Sequence, residues 1–125
     1  MPARLFRTTL VIPMYAVFIS LYEDGKEKCN EKGPYVTQWL DDTALKFIRG
    51  KRILIVDEVN DSGATLAHCI EGVFETCASD NVCVAVLHDK LRDKRREIDV
   101  SMVSYYVGTY VEDSWVAYPW STIEM

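Results

Sequence analysis

The chain has no C-x-x-C pair and only two histidines, His68 and His88, so the ligand spacing of a zinc site is missing. Its four cysteines, Cys29, Cys69, Cys77 and Cys83, therefore read as reduced thiols used mostly for packing. It also lacks a basic excess: a net charge of −5 and a pI near 5.0 argue against a generic nucleic-acid binder. The apolar run at residues 11–22 lasts only twelve residues and contains Pro13, too short to span a bilayer, so it reads as a core strand. A hydrophobic strand ending in Asp-Glu also describes the second acidic motif of P-loop ATPases, but no G-x-x-x-x-G-K-[ST] occurs, which argues against that reading. The opening, residues 1–10, reads as a helix fragment with Leu5 and Leu10 apolar and Arg4 and Arg7 toward solvent. It lacks the serine-rich continuation of a transit peptide, and with no visible export signal a cytoplasmic location is expected.

What is present bounds the fold. At 125 residues, 49% apolar and 26% charged, the chain is expected to be one soluble globular domain spanning 1–125. Its organising stretch is Ile53-Leu54-Ile55-Val56-Asp57-Glu58, followed by the loop Asn60-Asp61-Ser62-Gly63 and a helical pattern from Ala64. A continuous apolar run fits a strand buried on both faces of a parallel sheet, and ligands of such sheets bind beyond the carboxyl ends of the strands. Hydroxyls and backbone N–H groups from Asp61 to Thr65, at a helix N-terminus, form a ready anion site. Carboxylates beside a phosphate cradle suggest a ligand with both hydroxyls and a phosphate. By itself the motif would also suit an ordinary strand followed by an N-capped helix.

The flanks extend this frame. Residues 25–34 are polar and turn-rich, a loop or hairpin tip, and residues 35–40 read as the returning strand. Asp41, Asp42 and Thr43 cap a short helix over 44–48 that Gly50 ends. Leu66, Ile70, Val73, Phe74 and Cys77 give a helical period over 64–78, and residues 82–87 form the next buried strand. Strand, helix, strand is a parallel crossover. The basic run 90–96 reads as a solvated helical face. The aromatic-rich segments 104–111 and 115–120 suggest a hairpin-like cap packed beside the sheet.

The stretch 53–65 resembles the ribose-phosphate motif of the type I phosphoribosyltransferases. Residues 37–41 (TQWLD), 86–90 (VLHDK) and 113–120 (DSWVAYPW) are similar to the yeast-type hypoxanthine-guanine members. The resemblance implies an α/β fold, a mainly parallel sheet flanked by helices, with a flap hairpin and a small C-terminal aromatic-rich cap. It implies transfer of phosphoribosyl from phosphoribosyl pyrophosphate to a 6-oxopurine base, giving the nucleoside monophosphate, with Mg²⁺ as cofactor. Asp57 and Glu58 would then hold the ribose hydroxyls and touch the metal indirectly. Asp61 would serve the purine N7 as the catalytic acid or base, and Asp61, Ser62, Gly63, Ala64 and Thr65 would hold the 5′-phosphate. Lys90 would donate to the purine O6, Trp115 would stack on the base, and Val116 would meet its edge through backbone groups. Ser20 and Tyr22 would stand at the base of the flap. Residues 2–5 resemble the helix after the family's pyrophosphate loop, so the first strand, first helix and that loop are expected to be missing from 1–125. Ser121 stands where the family usually has Glu. A homodimer is expected from the resemblance, and a non-catalytic relative that binds a nucleotide or phosphoribosyl ligand is the alternative.

Overall fold

The computed structural model describes residues 3, 4, 9–20 and 34–113. Three parallel strands form its centre, in the order β3 (Ile53–Asn60), β4 (Val82–Leu91), β5 (Ser104–Glu112). Helix α2 (Ala64–Cys77) makes the crossover from β3 to β4. Its period buries Leu66, Cys69, Val73 and Cys77 against Ile53, Val82, Val84 and Val86, a core closed by Val103. The three cysteines among the described residues are free thiols, and Cys77 is fully buried.

The expected hairpin is present as an antiparallel pair, β1 (Phe18–Ser20) with β2 (Tyr35–Gln38). Asp41 caps α1 (Asp42–Ile48), its carboxylate accepting from the Ala44 N–H at 2.8 Å. Trp39, just past β2, fastens this part to α2. Its indole N–H donates to Thr76 Oγ1 at 3.2 Å, and the ring lies over Gly72, where a Cβ would stand 2.7 Å from Cη2. Only a glycine at that turn of α2 allows so close an approach.

Four expectations are corrected. Residues 11–17 form no strand, and Val11 is 85% exposed, so the core strand reduces to Phe18–Ser20 within the described residues. Pro13 has no N–H to give to a ladder. Strands β3 and β4 each run four residues further than their apolar runs, because Val59 pairs with His88 and Asn60 with Asp89, while Lys90 pairs with Val111 of β5. The basic run 90–96 is not helical: it is the end of β4 and an irregular loop. Residues 104–112 are not a cap but the third parallel strand of the sheet, since their backbone completes the ladder of β4. Of residues 1–10, Ala3, Arg4, Thr9 and Leu10 are helical, and the others lie outside the described residues. No described helix is long and apolar enough to cross a membrane.

Candidate active site

Asp57 and Glu58 occupy the carboxyl half of β3, and Asp61 begins the loop into α2. The Glu58 N–H donates to Asp57 Oδ1 at 2.7 Å. Burial pushes the Asp57 carboxyl up to about pKa 6; that N–H pulls the other way, and the neighbouring Glu58 charge adds to the rise. Burial also lifts the Cys69 thiol of α2 to about 11, with Asp57 as the next cause, so Asp57 lies on the side of the sheet that α2 covers.

The shape of the loop after β3 is set by backbone geometry. Gly63 has φ +85°, the left-handed region, and a Cβ there would fall on the Arg96 carbonyl oxygen. Ser62 Oγ accepts from the Ala64 N–H at 3.4 Å, and α2 begins at once, directing Ala64 and Thr65 into its first turn. The Ser62 carbonyl accepts from the N–H groups of Arg95 and Arg96 at 2.7 and 3.3 Å. The segment after β4 therefore lies directly against the candidate phosphate loop. Arg96 also pairs with Glu71 on α2.

Lys90, buried near the end of β4, is brought to Asp61: its Nζ lies 3.3 Å from Oδ2, while Arg92 Nη1 donates to Oδ1 at 3.0 Å. A carboxylate from the loop after β3 and an ammonium from the end of β4 thus stand side by side at the carboxyl edge. Ser20, at the end of β1, pairs with Tyr35 and has no described contact with these groups. Tyr22, Trp115, Val116 and Ser121 lie outside the described residues.

Sequence reasoning missed a second polar cluster behind this edge. Asp89 accepts from Tyr105 Oη at 2.6 Å and from Asn60 Nδ2 at 3.3 Å, and it pairs with Lys94 Nζ at 2.9 Å. Asn60 Nδ2 also donates to Tyr105 Oη at 3.1 Å. Burial, then the bond to Asp89, raises the Tyr105 phenol. The cluster lines a cleft of about 550 Å³ together with Lys90, Arg92 and Tyr110. The cluster depends on the register that pairs Asn60 with Asp89, which no sequence pattern shows.

The geometry is matched by kinship: the phosphoribosyl transferase domain family matches residues 8–119, and the chain belongs to that family. It is 32% identical to the hypoxanthine-guanine phosphoribosyltransferase of Saccharomyces cerevisiae (strain ATCC 204508 / S288c), over 99% of this chain and 71% of the relative. It is 34% identical to xanthine phosphoribosyltransferase 1 of the same yeast, over 95% of this chain and 70% of the relative. Among solved structures, it is similar to a hypothetical protein from Neisseria gonorrhoeae with bound ppGpp. That match has a TM-score of 0.80 and 39% identity, and covers 98% of this chain and 68% of the other.

Proposed function

We propose that this chain is a purine salvage phosphoribosyltransferase acting on a 6-oxopurine. The observation that carries the choice of base is the Lys90 and Asp61 pair, 3.3 Å apart. On a 6-oxopurine the O6 and N7 atoms share one edge. An ammonium suits the O6 acceptor, whereas adenine would turn an amino group toward it. A carboxylate beside it suits a protonated N7, and takes that proton as N9 attacks the anomeric carbon. Bound base would take the place of the contact that Lys90 and Asp61 make with each other.

Asp57 and Glu58 accept from the ribose hydroxyls in this reading, and their charge favours the oxocarbenium character of the transition state. The 5′-phosphate rests on Ser62, Gly63, Ala64 and Thr65 at the N-terminus of α2. No group of three or more metal-ligating side chains stands together among the described residues. The hard carboxylate oxygens of Asp57 and Glu58 suit Mg²⁺ and would hold it indirectly. When bound, that ion neutralises the leaving diphosphate. Trp115, Val116, Ser20 and Tyr22 keep the base-stacking, edge and flap roles that the resemblance implies, within one domain over 1–125. A cytoplasmic homodimer belongs to the same proposal.

The test is a steady-state assay with phosphoribosyl pyrophosphate, Mg²⁺ and hypoxanthine, guanine, xanthine or adenine in turn. Nucleoside monophosphate should form from at least one 6-oxopurine and not from adenine. Asp61→Asn should lower kcat/KM about 10²- to 10⁴-fold. No product from any base, or equal use of adenine, would refute the reading. Because the Neisseria gonorrhoeae neighbour carries ppGpp, that nucleotide is the informative competitor in the same assay.

A further inference from the structure

Lys94 lies in a segment that its sequence marks as a solvated basic run, yet its side chain is only 9% exposed. Its ammonium donates to three backbone carbonyls, those of Asn60 at 3.0 Å, Asp61 at 2.8 Å and Lys90 at 2.7 Å. The fourth partner is the Asp89 carboxylate at 2.9 Å, itself only 9% exposed and held by Asn60 and Tyr105.

Two of those carbonyls belong to Asp61 and Lys90, the two residues proposed to read the purine edge. We propose that Lys94 is a positioning residue for base recognition, a clamp that ties the end of β3 to the end of β4 and so sets the separation of Asp61 and Lys90. The inference rests on the purine-transferase reading above. Buried backbone carbonyls need donors, and of these three the Lys90 carbonyl also accepts from the Arg92 N–H at 3.0 Å. One ammonium, with three protons directed to different sides, supplies several of them at once. A guanidinium presents its donors in a flat fork and cannot converge on this arrangement, so Arg is not equivalent here. The ribose and phosphate groups are placed differently: Asp57 is set by β3 itself, and the Ser62 to Thr65 loop by Gly63 and by the Ser62 contacts to Arg95 and Arg96.

The clamp therefore predicts a loss confined to the base. Isothermal titration of the full chain with ribose 5-phosphate and with guanosine 5′-monophosphate measures the gain in affinity that the base provides. Lys94→Met should keep ribose 5-phosphate affinity within about 2-fold and lose at least about 10-fold for the nucleotide, and Lys94→Arg should not restore it. If Lys94→Met fails to fold by circular dichroism because Asp89 is left charged and buried, Lys94→Met with Asp89→Asn removes that charge. The double variant should show the same selective loss. Equal loss for both ligands, as from a merely structural role, or no loss for either, overturns the clamp. Wild-type protein that binds neither ligand overturns the purine-transferase reading itself, and the clamp with it.

Discussion

Asp57, the carboxylate proposed to hold the ribose, is placed where folding disfavours a charge. Burial beside α2 raises its pKa from the usual 3.8 to about 6. A carboxyl whose folded pKa is raised binds its proton more tightly in the folded state, so stability falls as pH climbs from about 4 to about 6. The full cost is present above that window, and at two units it is at most about 3 kcal/mol. An asparagine would keep the acceptor for the Glu58 N–H and drop the charge. Asp57→Asn should therefore raise Tm at pH 7.5 and change it little at pH 4, while ribose affinity falls. Thermal unfolding at the two pH values, with titration of ribose 5-phosphate, checks both halves. An equal Tm change at both pH values would mean that the buried charge is not the cause.

The loops between elements carry the sharper constraints. Gly50 and Gly63 both have positive φ, yet only Gly63 is crowded, with the Arg96 backbone where a Cβ would be. Replacing either by Ala costs about 1–2 kcal/mol for the left-handed backbone. Gly50→Ala should stop there, because nothing lies within 4 Å of the new atom. Gly63→Ala must also displace the segment that holds Ser62, and a total loss of about 3 kcal/mol or more is expected. Urea unfolding of the two variants makes the comparison, and similar losses would show that the close approach of Arg96 to the loop does not matter. Much of this element layer was legible in the sequence. The unbroken run 53–56 marked β3, the period from Leu66 to Cys77 marked α2, and Asp41 marked the start of α1. The ends were not, since Asn60, Asp89 and Lys90 belong to strands through the ladders they share with their neighbours. Lys94 was misread for a similar reason. Its charge argued for solvent, and its acceptors are backbone carbonyls that no sequence pattern advertises.

At the scale of the whole molecule, the site spans two neighbouring strands of one three-stranded sheet, so filling it should tie together the elements whose ends diverge. Asp57 and Glu58 come from β3, Asp61 and Ser62 from the loop after it, and Lys90 from β4. A ligand that touches all three binds only the folded chain, and at about 100 times its Kd it adds about 2.7 kcal/mol of stability. For a domain of this size that corresponds to a Tm rise of roughly 10 °C. A 6-oxopurine nucleoside monophosphate should produce it at pH 7.5. Ribose 5-phosphate at the same concentration should produce less, because it leaves Lys90 unengaged. Lowering the pH to 5 protonates Asp57 and removes the charge proposed to attract the ribose hydroxyls, so both shifts should shrink. Differential scanning calorimetry at the two pH values reads all four conditions. A nucleotide shift no larger than that of ribose 5-phosphate would detach Lys90 from the site, and shifts that persist undiminished at pH 5 would detach Asp57.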